Sequence, residues 1–142
     1  MNDNRNQISG CIVTYNNAAI ISECIESILK WTKDISFKLY ISDNGSTDGT
    51  VQLIQTKYPE VTVIENKQNI GFGEGHNRVI KRLDSKYHFV INPDIFVDSD
   101  IFTPLAEYMD MHKSVAMITP KIMNDNGTEQ QLPKRNPTLR YL

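Results

Sequence analysis

The chain has 142 residues, 39% of them hydrophobic and 23% charged, which suits one domain with its own core and is too short for two of ordinary size. Fifteen Lys and Arg stand against seventeen Asp and Glu, a formal net charge of -2, so no basic field points to a nucleic acid partner. No apolar run approaches membrane-spanning length, Met1 to Gln7 carry no apolar signal segment, and Cys11 and Cys24 sit in apolar stretches rather than in a disulfide or metal pattern.

Strand-like apolar runs are expected at Ile8 to Tyr15, Phe37 to Ser42, Val61 to Glu65, Tyr87 to Ile91 and Val115 to Thr119. Between them the apolar period is helical. Ile21, Cys24, Ile25, Ile28 and Leu29 trace one face of a first helix that should end before Ser36. Val51, Ile54 and Tyr58 trace a second, stopped by Pro59. Val79, Ile80 and Leu83 trace a short third, and Ile101, Phe102, Leu105 and Met109 a fourth, capped by Asp98 or Ser99. The alternation predicts an α/β three-layer sandwich with a mainly parallel sheet covered on both faces. Asn124 to Gly127 offer a hairpin turn, and the irregular segment from 121 to 142 carries Lys134, Arg135 and Arg140 near its end.

Four strand ends are polar. They read Thr14-Tyr15-Asn16-Asn17, Asp43-Asn44-Gly45-Ser46-Thr47-Asp48-Gly49, Asn66 through Gly73, and Asn92-Pro93-Asp94. Parallel strands would bring all four to one sheet edge, the edge at which open α/β sheets bind ligands. Taken singly, each is also what a tight turn or a helix cap requires; convergence is the functional signal. Asp43 can accept from the imide N–H of a uracil or thymine, and Tyr15 can stack on the ring. Asp94, on a turn stiffened by Pro93, can share Mg²⁺ or Mn²⁺ with phosphate oxygens and water.

Other features read more plainly. Gly71, Gly73 and Gly75 lack the spacing of a dinucleotide fingerprint and suit a tight entry into the third helix. His76 reads as a partly exposed structural histidine, Asp98 and Asp100 as capping residues rather than metal ligands, Asp48 as support for the turn and Trp31 as packing. No histidine has a partner at zinc-site spacing.

Thr14-Tyr15-Asn16, Asp43 through Thr50, Asn69 through Gly73 with Asn77, and Asn92-Pro93-Asp94 occur in an order that resembles glycosyltransferase family 2, nearest its rhamnosyltransferase-like branch, over about Ile8 to Pro120. The resemblance implies a GT-A fold and an inverting enzyme using a UDP- or dTDP-sugar donor. It implies nucleotide contacts from Thr14, Tyr15, Asn16, Asp43, Asn44, Ser46, Asn69, Gly71, Asn77 and Asn92, with Asp94 as ligand to Mg²⁺ or Mn²⁺. Asn92 departs from the family's two-acid Asp-x-Asp motif. The implied acceptor is a hydroxyl of a saccharide or lipid-linked saccharide, in cell-surface polysaccharide synthesis.

The family's catalytic base falls beyond the position of Leu142, so the chain is expected to be a single donor-binding domain with an incomplete acceptor half. A cytoplasmic setting is expected, with peripheral membrane association through the basic tail and a homodimer through an uncovered edge as further expectations. Two other readings stay open: a nucleotide-sugar-binding fragment without turnover, and a sugar nucleotidyltransferase. The latter needs a Gly-rich basic loop after the first strand, which Thr14 to Asn17 do not supply.

Overall fold

The sheet is laid out around β1 (Ile8–Thr14), all seven residues of which are buried. A computed structural model describes residues 8–130 of the chain. In chain order β1 is followed by α1 (Ile21–Thr32), β2 (Phe37–Asp43), α2 (Thr50–Lys57), β3 (Thr62–Glu65), α3 (Phe72–Ile80), β4 (Tyr87–Ile91) and α4 (Phe102–Met111). The strands lie in the order β3-β2-β1-β4 and every pairing is parallel. The chain winds from β1 through β2 to β3, then crosses back to put β4 on the other side of β1. That reversal makes the carboxyl ends of β1 and β4 a topological switch point.

Register separates the two faces. Ile12 lies opposite Ile41 and Ile91, and this face joins Ile21, Ile25 and Ile28 of α1, Ile54 of α2 and Phe102 of α4 in the larger core. Phe102 is edge-on to both Phe37 and Phe89. On the opposite face Cys11, Val13 and Tyr40 pack with Val79 of α3 in a smaller cluster. Helices therefore cover both faces, as the alternation requires.

Several boundaries differ from expectation. Val115 to Thr119 form no strand: among the described residues β4 pairs only with β1, and Val90 and Met117 are 57% and 88% exposed. Apolar alternation makes a strand only where a neighbouring ladder accepts its backbone groups. α3 begins at Phe72, so Gly73 and Gly75 lie inside it, Leu83 lies past its end and Ile80 is exposed. Asp100, read as a capping residue, does hold the start of α4, and Asp98 and Ser99 do not: Asp100 Oδ1 accepts the amides of Phe102 and Thr103 at 2.9 and 3.1 Å. The hairpin turn at Asn124 to Gly127 forms, with the Gly127 amide donating to the Asn124 carbonyl at 2.9 Å. Lys134, Arg135 and Arg140 lie outside the described residues. Among those residues no helix is long and apolar enough to cross a membrane.

Candidate functional site

At the switch point a cleft of about 390 Å³ opens between the ends of β1, β2 and β4 and the start of α3. That volume is within the range of small-ligand sites. The end of β1 contributes Thr14 and Tyr15 to one wall, with Asn44 and Asn69 from beyond the neighbouring β2 and β3, and the segment after β4 supplies Asn92, Pro93 and Asp94 as the far wall. Tyr15 is 49% exposed.

The far wall is seated on α1. Cys24, Ser27 and Trp31 follow one another at helical spacing and all face the segment after β4. The Cys24 thiol lies 3.6 Å from the Asn92 carbonyl, Ser27 Oγ accepts the Val97 amide at 3.1 Å, and Trp31 Nε1 donates to the Val97 carbonyl at 3.1 Å. Burial pushes the Cys24 thiol up to about 12, the Ile95 backbone hydrogen bond opposes this, and the nearby Asp94 charge adds to it. Cys24 is therefore a neutral packing group. Trp31 packs as expected.

The near wall is two loops joined together. Asp43 is 2% exposed and faces its own turn: Oδ2 accepts the amides of Gly45 and Ser46, each at 3.0 Å, and Oδ1 accepts the Ser46 hydroxyl at 2.5 Å. Three of roughly four acceptor sites of the carboxylate are thus engaged. The Asn16 amide donates to Ser46 Oγ and the Thr47 amide donates to Asn16 Oδ1, both at 2.8 Å. Asp48 accepts Ala18 N–H across the loops at 3.0 Å and Thr50 Oγ–H at 2.5 Å, which holds its carboxyl below the usual range. The Thr50 bond is the larger cause. Asp48 supports the turn and the start of α2, where Gly49 adopts φ 90°.

A third loop is fastened to these. The Asn66 side-chain amide donates to Asn44 Oδ1 at 3.0 Å, and Asn44 Nδ2 donates to the Gly71 carbonyl at 3.2 Å. Gly45 has φ 80°, and a Cβ there would come within 3.0 Å of the Gln68 backbone. Only glycine meets both conditions. At the cleft rim Phe72, 50% exposed, stands edge-on to His76 with ring centroids 4.5 Å apart. His76 is not partly exposed but 4% exposed, and neither ring nitrogen has a hydrogen-bond partner among the described residues. Docking of α3 against β1 and β2 turns it inward, which a sequence period alone does not reveal.

Of the residues expected to bind ligand, Thr14, Tyr15, Asn44, Asn69, Asn92 and Asp94 line the cleft. Asn16, Asp43 and Ser46 lie behind the near wall as its bracing, and Gly71 accepts from Asn44 through its carbonyl. Asn77 is exposed on α3, its amide 3.5 Å from Glu74, and is not among the lining residues. Asn17, Ile20 and Phe72 line the cleft without having been singled out. Asn17 accepts the Thr14 hydroxyl and the Tyr15 amide at 2.8 and 3.0 Å; its place three residues after the end of β1 was the available signal.

The site's donors are hard oxygens. Among the described residues no three His, Cys, Asp or Glu side chains come together as a metal cage. Asp94, an exposed carboxylate on the cleft wall, fits instead the pattern in which a protein supplies one ligand and a phosphate-bearing molecule and water supply the rest.

Comparison with known proteins places this architecture. The chain is 25% identical over 138 residues to N-acetylglucosaminyl-diphospho-decaprenol L-rhamnosyltransferase of Mycobacterium tuberculosis, covering 89% of this chain and 45% of that protein. It is 26% identical over 137 residues to the abequosyltransferase RfbV of Salmonella typhimurium, covering 91% and 40%. The chain thus spans less than half the length of these relatives. The crystal structure of S. aureus TarS 1-349 superposes with a TM-score of 0.67 at 23% identity, over 75% of this chain and 33% of that one. Mannosyltransferase PcManGT from Pyrobaculum calidifontis, in complex with GDP-Man and Mn²⁺, gives 0.62 at 21% identity, over 72% and 31%. The family model of glycosyl transferase family 2 matches residues 9–142, and the parallel sheet with its switch-point cleft is that of the GT-A fold: the chain belongs to glycosyl transferase family 2.

Proposed function

We propose that the cleft holds the nucleotide diphosphate of a sugar donor, and that this chain is the donor-binding part of an inverting glycosyltransferase. The observation that carries the reading is the pairing, across one switch-point cleft, of an exposed aromatic on one wall, Tyr15, with an exposed carboxylate on the other, Asp94. An aromatic face takes a base, and a carboxylate takes a cation shared with phosphate. Solved neighbours in complex with UDP, UDP-GlcNAc, and GDP-Man with Mn²⁺ support a nucleotide-sugar ligand.

In this reading Tyr15 stacks on a uracil or thymine, and Asp43, buried in its own turn, holds the loop beneath rather than meeting the imide N–H. Thr14, Asn44, Asn69 and Asn92 face the ribose and diphosphate, and Asn16, Ser46 and Gly71 hold their loops. Asp94 is the ligand of Mg²⁺ or Mn²⁺. Bound there, the cation would neutralise charge on the leaving diphosphate. Asn77 contributes through α3 rather than by contact. The acceptor is a saccharide or lipid-linked saccharide, a reading supported by the mycobacterial relative, an N-acetylglucosaminyl-diphospho-decaprenol L-rhamnosyltransferase.

Calorimetric titration of the chain with UDP and dTDP, with and without MgCl₂ or MnCl₂, tests this. Binding enhanced by metal in the wild type and losing that enhancement in Asp94→Ala is the expected result. Absence of binding, or enhancement unchanged by Asp94→Ala, overturns it.

A further inference from the structure

We propose that Asn16 is a positioning residue that fixes Tyr15 for stacking, a role that rests on the nucleotide reading of the cleft. Asn16 does not line the cleft. Its backbone is left-handed, φ 54°, a conformation that Asn and Asp adopt far more readily than other residues with a Cβ. It is gripped at two points, its N–H on Ser46 Oγ and its Oδ1 on the Thr47 amide, both at 2.8 Å. Ser46 Oγ in turn donates to buried Asp43 Oδ1 at the end of β2. On the other side of Tyr15 the Thr14 carbonyl accepts the Asn44 amide at 2.9 Å, while beyond Asn16 the Asn17 Oδ1 accepts the Tyr15 amide and the Asn17 amide donates to Thr50 Oγ1 at 3.1 Å.

Tyr15 is therefore a half-exposed ring between two residues tied to a different loop, and its hydroxyl makes no hydrogen bond among the described residues. Among the described residues no side-chain hydrogen bond holds the ring itself. What sets its direction is the backbone on either side, and on the Asn16 side both the turn of the chain and the tether come from one side chain type. Glycine could make the turn without the tether; aspartate could make both; alanine makes neither well. A ring set in place before the ligand arrives loses less freedom on stacking, so the tether acts on affinity through Tyr15.

Titration of the 142-residue chain with UDP in MnCl₂ tests the role through a set of variants. Asn16→Gly is expected to weaken binding about tenfold, and Asn16→Asp to return it to within about threefold of wild type. Ser46→Ala, which removes the acceptor for the Asn16 amide, gives a second route to the same loss. In a Tyr15→Ala background Asn16→Gly should add no further loss, a non-additivity that a general loosening of the fold would not produce. Full-strength binding by Asn16→Gly, or an equal loss with and without the Tyr15 ring, overturns the proposal. A wild-type chain that binds none of UDP, dTDP and GDP overturns the nucleotide reading and this role with it, an outcome distinct from wild-type binding that the Asn16 variants leave intact.

Discussion

A Cβ on Gly75 would stand 2.9 Å from both γ-carbons of Val13. Val13 is a buried residue of the inner strand and has nowhere to move. The closeness lets α3 lie directly on β1 and β2, which sets the height of the cleft rim at Phe72.

Gly75→Ala is expected to destabilise the chain by about 1–2 kcal/mol, overpacking outweighing the gain in helix propensity. Gly73, two residues earlier in α3, has nothing within 4 Å of a Cβ, so Gly73→Ala should stabilise by about 0.5 kcal/mol. Urea denaturation of both variants measures the contrast. Equal effects would show that α3 does not sit this close to β1.

The carboxylate of Asp43 accepts three hydrogen bonds from its own turn while 2% exposed. Asp43→Asn turns one oxygen into an N–H₂ group, a donor that cannot accept, so at least one loop donor loses its partner. A loss of about 1–3 kcal/mol is expected from Asp43→Asn and from Asp43→Ala alike. Thermal melts of the unliganded chain distinguish this bracing role from simple ligand contact, which would leave the melting temperature unmoved.

Tyr15→Ala should weaken UDP binding about tenfold or more, and Tyr15→Phe should stay within about twofold of wild type, since stacking needs the ring and not the hydroxyl. Calorimetry on the two variants reads this directly; a Phe variant as weak as Ala would mean that the hydroxyl makes the contact.

His88 of β4 lies near His76, with Nδ1 2.7 Å from Ser9 Oγ and Ser9 Oγ 2.6 Å from Ser85 Oγ. Burial pushes its pKa down to about 4, with the neighbouring His76 a smaller cause, and burial likewise lowers His76. Unfolding releases both to the ordinary value near 6.5, so over this range the unfolded chain binds more protons. Stability is therefore expected to fall as pH drops from about 6.5 to about 4, by roughly 2 kcal/mol for His88 given its partial solvent access. Denaturation midpoints across this range for wild type and His88→Asn check it. The variant should show a flatter slope, and superimposable profiles would contradict the assignment.

Helices α1, α2 and α4, the strands β1 to β4 and the four polar strand tips are legible in the sequence because period and turn chemistry act over a few residues. Val115 to Thr119 show where that legibility stops, since their apolar character says nothing of whether a ladder is on offer. His76 shows it again: one face of a short helix turns inward only because Gly75 lets the helix descend onto Val13.

The sequence by itself determined that polar groups gather where apolar strands end, and that a family of nucleotide-sugar enzymes is resembled there. Only the tertiary structure decided the division of labour among those groups. Tyr15 and Asp94 reach the cleft, while Asp43, Asn16 and Ser46 tie one loop to another. The physical reason is distance along the chain: Asn16 and Ser46 are thirty positions apart. Which donor finds which acceptor follows from β1 and β2 lying side by side in register, with Thr14 opposite Asp43.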